Sequence, residues 1–285
     1  MRRARYYSVV KLYISADMEG VAGITSTEQT NPVGQPEYAR SCQLMTAEVN
    51  AACEGGSAGG ATDIVVNDSH WNMRNVMHEA LPPAVQLIRG SPKPLSMNEG
   101  LDSSFTAVAF VGYHAPGGTS DAALDHTYTG ETIYDVRING QPCSEARINA
   151  AVAGSFGVPV VFISGDQSAC ADARTFLPWV EAVQVKRAIG RYAAESLSPS
   201  AACEAIRAGL QRALREMRTR NAAPYRFAPP IVLELTLTST AKADMAALLP
   251  GSQRLTGRTL RYANDDFLTV FRAFRALTAL GASVS

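Results

Sequence analysis

The chain has 285 residues with 26 basic and 26 acidic side chains, and 46% of its residues are hydrophobic. That length can bury a sizeable core, in one large domain or two smaller ones. A formal charge of zero excludes the electrostatic footprint of a nucleic-acid or anionic-membrane binder. No apolar run reaches membrane-spanning length.

Met1–Arg5 is basic, but Tyr6–Lys11 is too short and polar for a secretory signal, so residues 1–10 read as an N-terminal extension. The first strand is expected at Leu12–Ala16 and runs into Asp17-Met18-Glu19-Gly20. Side chains two apart on a strand share a face. The spacing therefore predicts that Asp17 and Glu19 leave the sheet together at its C-terminal edge, where open α/β sheets build their sites. Like charges that close call for a cation between them, and a divalent metal is the obvious candidate. A helix follows over Pro36–Glu54, with Tyr38, Cys42, Met45, Val49 and Cys53 on one face. Gly55, Gly56, Gly59 and Gly60 are expected to end it.

Short strands are expected at Asp63–Val66, running into Asp68-Ser69-His70, at Val85–Ile88, and at Ala107–Val111, running into Gly112-Tyr113-His114. Thr132–Ile138 followed by Asn139-Gly140 signals a hairpin. A helix from Ser144 to Phe156, a strand at Val158–Ile163 ending near Asp166, and a strand at Ala182–Lys186 come next. Ser198-Pro199 starts a helix with a Ser cap and an early Pro, which runs to Met217. After a linker at Asn221–Pro230, a strand is expected at Ile231–Leu237, a helix at Ala241–Leu248, a strand at Thr256–Tyr262 and a last helix at Asp265–Leu280. Alternating strands and helices predict an α/β fold. We divide it into an α/β metal-binding catalytic domain over 11–197, with a mixed or parallel sheet and flanking helices, and a smaller α+β domain over 198–285. The five cysteines, Cys42, Cys53, Cys143, Cys170 and Cys203, show no CxxC spacing. Reduced thiols in a cytoplasmic protein are expected rather than a disulfide framework.

All four histidines, His70, His78, His114 and His126, lie in the larger part. His70 and His114 each follow a predicted buried strand, as the carboxylate pair does. Three strand ends of one sheet can converge, and two carboxylates with two imidazoles suit zinc or another borderline divalent ion. Glu145, opening the helix after the hairpin, makes five ligands, which suit two ions sharing a bridging carboxylate. Taken singly, each has another reading. The acids fit a solvated strand end, either histidine a hydrogen-bonded loop, and Glu145 a first-turn acid at a helix dipole. His78 reads as structural or exposed, and Asp166 as a cap or an outer support. Tyr113 and Trp71 either line a pocket or pack. The joint occurrence at strand ends favours the metal.

The chain also resembles the zinc-dependent D-aminopeptidase family, peptidase family M55. The likeness rests on Lys11–Gly20, Val66-Asn67-Asp68-Ser69-His70, Lys93–Met97, Glu99–Asp102, Gly112–Ala115, Ile138-Asn139-Gly140 with Glu145, Asn149-Ala150 and Ser196–Pro199, and it runs from residue 11 to the end. The resemblance implies a site of two zinc ions. Asp17 would bridge, Glu19 and His70 would bind one ion, and His114 and Glu145 the other. It implies His126 as the catalytic histidine, a short peptide with an N-terminal D-residue as substrate, and a large ring-like homo-oligomer. Alternatives are another metal-dependent amidohydrolase acting on a small amide, a peptide-binding protein, and a structural α/β protein whose acids and histidines do not converge.

Overall fold

The strand expected at Leu12–Ala16 forms as β1 (Lys11–Ala16), and its alternation sets the layers of the molecule. The computed structural model describes residues 10–284. Apart from Val10, the expected N-terminal extension lies outside them. After β1 come α1 (Thr27–Thr30), α2 (Tyr38–Gly59), β2 (Asp63–Asp68), β3 (Val85–Ile88), β4 (Ala107–Tyr113), β5 (Ile133–Ile138) and β6 (Gln141–Pro142). Next are α3 (Glu145–Ser155), β7 (Val160–Asp166), α4 (Gln167–Phe176), β8 (Glu181–Gly190), β9 (Ala193–Ser196) and α5 (Pro199–Glu216). The chain closes with β10 (Ile231–Leu237), α6 (Thr240–Ala246), β11 (Gln253–Arg254), β12 (Thr259–Asn264) and α7 (Phe267–Ala282).

Seven strands form one sheet in the order β3-β2-β1-β4-β7-β8-β9. All its pairings are parallel except that of β8 with β9. Leu12, Ile14 and Ala16 pack on one face with residues of α2 and α5. Tyr13 points the other way, into a cluster shared with α3 and α4. Each fully buried aliphatic side chain contributes roughly 1.5–3 kcal/mol. Strand order reverses on either side of β1, so the crevice at the C-terminal ends of β2, β1 and β4 is the switch point where such sheets bind ligands.

A second, antiparallel sheet runs β11-β12-β10-β5-β6 and is covered by α6 and α7. The α5 helix, grouped by the sequence with the smaller C-terminal domain, instead packs along α2 on the first sheet. Ala202, Ile206 and Leu210 enter that core because the apolar stripe of α5 matches the sheet face. Conversely, β5 pairs with β10 and so joins the second sheet. Between the sheets, α3 is apolar on two sides. Ala146, Ala150 and Ala153 meet the first sheet, and Ile148, Ala151 and Val152 meet the second.

One expectation about α2 is corrected. The helix does not stop at Gly55 but runs through Gly55 and Gly56 to Gly59, and Gly60 caps it with φ 107°. A side chain at Gly55 would overlap the backbone of Arg207 on α5. Gly55 and Gly59 serve close approach to α5 and Gly56 close approach to the sheet, and only Gly60 serves as the stop. No helix among the described residues is long and apolar enough to cross a membrane. All five cysteines are free thiols.

Candidate metal centre

Register brings the expected residues together. Ala16 of β1 lies opposite Asp68 of β2 and Val111 of β4, so β1 and β2 end at one level and β4 runs on to Tyr113 beside them. Asp17 and Glu19 follow β1, His70 follows β2, and His114 follows β4. Glu145 is the first residue of α3, whose Ser144 cap accepts from the Arg147 amide. All five are buried, with relative exposures of 2–6%.

The carboxylate pair converges by a different route from the one expected. The strand stops at Ala16, and Glu19 sits in a turn. The amide of Asp17 donates to the Val111 carbonyl and that of Gly20 to the Gly112 carbonyl, each at 2.8 Å. A side chain at Gly20 would overlap the Tyr113 carbonyl. A turn pressed against β4, rather than strand alternation, therefore aims Glu19 inward.

The histidines are oriented from outside. His70 Nε2 donates to the Thr30 carbonyl at 2.8 Å, His114 Nδ1 to the Ala115 carbonyl at 2.9 Å, and His126 Nδ1 to the Leu124 carbonyl at 2.8 Å. A carbonyl can only accept, so each outer nitrogen carries a proton, and in the neutral ring the inner nitrogen presents the lone pair. Those inner nitrogens face carboxylates. His70 Nδ1 lies 3.2 Å from Asp17 Oδ1 and 3.0 Å from Glu19 Oε2. His114 Nε2 lies 3.6 Å from Asp17 Oδ2 and 3.3 Å from Glu145 Oε1. Asp17 thus turns one oxygen to each histidine–glutamate pair.

Lone pairs facing carboxylates repel unless a proton or a metal lies between them. Glu19 Oε2 and His114 Nε2 are buried and without a hydrogen bond of proper geometry. Burial and the charge of Glu19 push Asp17 up to about 7. Burial opposes charge on His70 and His114, but Glu19 and Glu145 respectively outweigh it; His70 rises well above its usual value and His114 to about 10. Burial would likewise raise Glu19 and Glu145, yet His70 and His114 hold them below the usual carboxylate range. The cluster demands positive charge, and its three carboxylates and two imidazoles fit a pair of borderline divalent ions.

His126 stacks on His114 with ring centroids 4.2 Å apart, and its Nε2 lies 3.7 Å from Glu145 Oε1. Its side chain is 20% exposed, more than those of the five buried residues, and faces a cavity of about 490 Å³ that Trp71, Tyr128 and Arg191 also line. Burial and the neighbouring His114 lower its pKa.

The D-aminopeptidase family model, peptidase M55, matches residues 10–276. The chain belongs to this D-aminopeptidase family. A D-aminopeptidase of Bacillus subtilis (strain 168) is 35% identical over 280 residues, which is 97% of this chain and 99% of that protein. A solved structure described as the Zn-dependent D-aminopeptidase DppA from Bacillus subtilis, a self-compartmentalizing protease, superposes with a TM-score of 0.92 at 34% identity. That match covers 97% of this chain and 99% of the other.

Around this cluster stand supports that sequence reasoning missed. The Tyr128 amide donates to Glu145 Oε1 at 2.6 Å. Lys186, buried in β8, donates from Nζ to the carbonyls of Glu19, Val21 and Ile24 and so fixes the turn that carries Glu19. Lys93 Nζ donates to Asn67 Oδ1 and to the Asp68 carbonyl, beneath the turn that carries His70. Two of the four lysines in a lysine-poor chain are spent this way, and their scarcity was the available signal. His78 is exposed, as expected. Asp166 caps α4 and accepts from the Ala123 amide. Tyr113 is buried and bonds Ser15, whereas Trp71 is 58% exposed at the cavity rim.

Proposed function

We propose that this chain is a metallo-aminopeptidase that removes an N-terminal D-residue from short peptides, with two zinc ions held by Asp17, Glu19, His70, His114 and Glu145. The observation that carries the reading is the placement of Asp17, one oxygen toward His70 and Glu19 and the other toward His114 and Glu145. A carboxylate so placed would suit a bridge between two ions, and this supports the reading. The names of the Bacillus subtilis relatives supply zinc and the D-configuration.

Bound there, two zinc ions would supply Lewis acidity toward the scissile carbonyl and lower the pKa of the attacking water. The chain does the rest. Carbonyl contacts behind the imidazoles fix their tautomers, and the Tyr128 amide fixes Glu145, so the ligand set is preorganised. His126 presents Nε2 beside the cavity, where it takes a proton from the attacking water and, once protonated, donates it to the leaving amine or hydrogen-bonds the developing oxyanion. Its atoms also lie within ligand distance of His114 and Glu145, so its role needs a direct test. His126→Ala should keep the metal content and lose about 10²–10⁴ in kcat; loss of one ion instead would make it a ligand.

We also propose a ring-like homo-oligomer that encloses the sites, after the self-compartmentalizing relative. Exposed Ile189 and Tyr192 at the tip of the β8–β9 hairpin offer apolar contact surface. A cytoplasmic setting agrees with five free thiols. The decisive experiment is metal analysis combined with hydrolysis of D-Ala-D-Ala, D-alaninamide and their L-forms. Two zinc ions per chain and cleavage of the D-forms are expected. Turnover indifferent to zinc and to chelators would overturn the metal site, and equal rates on L-forms the D-selectivity.

A further inference from the structure

Beside the metal cluster lies a smaller cavity of about 140 Å³, lined by Asp17, Glu19, His70 and Glu145 on one side. Its other wall contains two polar groups without a hydrogen-bond partner among the described residues. Arg275, half-buried on α7, lines this cavity with its guanidinium 5.4 Å from the centre of the Tyr128 ring. No hydrogen bond or carboxylate partner meets it among the described residues, although Arg191, which lines the neighbouring larger cavity, is paired with Asp125. Ser96, 1% exposed, has a hydroxyl with no partner. It is held in the left-handed region at φ 51° while its carbonyl accepts from Asn67 Nδ2. Strain of that kind in a residue other than Gly persists where the surroundings enforce it, and it clusters at ligand clamps.

A buried hydroxyl and an unpaired guanidinium facing one small space are donors without an acceptor. A carboxylate is the ligand that satisfies both, since the planar fork of Arg matches its two oxygens. We propose that Arg275 and Ser96 bind the free α-carboxylate of the residue that follows the scissile bond, which makes the site selective for dipeptides. This rests on the aminopeptidase reading above and deepens it. The cavity that contains these donors also contains the metal cluster, so little chain fits between the reacting carbonyl and the bound carboxylate. Tyr128 links the halves, since its amide holds Glu145 and its ring carries Arg275.

The test compares D-Ala-D-Ala with D-alanyl-D-alaninamide on the zinc-loaded enzyme at neutral pH. A charge-assisted contact of this type predicts kcat/KM about 10–100-fold higher for the acid, chiefly through KM. In Arg275→Gln the acid should fall to the level of the amide. Arg275→Lys, which keeps the charge but not the fork, should give an intermediate ratio. Ser96→Gly removes the hydroxyl without adding strain at positive φ and should narrow the ratio. Zinc content is measured on each variant to show an intact site. Equal kcat/KM for acid and amide in the unmodified enzyme would overturn the carboxylate site while leaving the aminopeptidase reading in place. So would a ratio that survives both Arg275→Gln and Ser96→Gly. Failure to cleave either peptide would instead overturn the reading on which the proposal rests.

Discussion

Among the described residues Asp17 is the carboxylate within 4.0 Å of both imidazoles of the cluster, His70 and His114. Asp17→Ala should therefore lower the content of both metals, whereas Glu19→Ala should loosen mainly the ion on the His70 side. Metal analysis of the two purified variants checks this, and equal losses in both would contradict the bridging assignment. At this scale the sequence was informative about residue type and poor about route. Asp17, Glu19, His70, His114 and Glu145 were legible because each ends a strand or opens a helix of recognisable pattern. The turn that aims Glu19 was not, since it depends on Gly20 lying against the carbonyl of Tyr113, a contact between segments far apart in the chain. The donors Ser96 and Arg275 were equally hidden. One lies in a short turn and the other on an amphipathic helix, and neither position carries a local signature.

The elements divide by how much of their character is local. Strands β1, β2 and β4 were readable from apolar runs, and α5 from its Ser198-Pro199 start. Helix α4 was missed because its apolar positions are few and its sequence opens directly from β7, with Asp166 both ending the strand and capping the helix. The extent of α2 was misjudged because a glycine pair reads as a stop until a second helix is known to press on it. Helix α3 shows the same dependence on partners at Gly154, where a side chain would overlap the Tyr225 carbonyl. Gly154→Ala should destabilise the protein by about 1–3 kcal/mol through overpacking. Thermal unfolding measures it, at about 2–4 °C per kcal/mol for a domain of 150–250 residues. An unchanged midpoint would mean that the segment around Tyr225 yields freely.

Across the whole molecule, Glu48 is a buried acid at the junction of α2 with the loop after β1. It accepts from the Ala22 amide at 2.9 Å, while Oε2 has no partner. Burial pushes its pKa from 4.5 up to about 7. The folded state therefore holds a proton that the unfolded state releases earlier. Stability is highest below the unfolded value and falls as pH rises from about 4.5 to about 7. The difference is on the order of 3 kcal/mol at about 1.4 kcal/mol per pH unit. In Glu48→Gln this fall should be absent, as unfolding curves for both proteins across that window would show. A parallel decline in both would assign the pH dependence elsewhere.

The ammonium of Lys186 sits among the carbonyls of Glu19, Val21 and Ile24, in effect a resident monovalent cation that the chain brings with it. The segment carrying Glu19 takes its form from that charge. Loss of the ammonium would therefore loosen Glu19 even where every carboxylate and imidazole of the cluster is intact, so the position of an acid is set by a base on another strand.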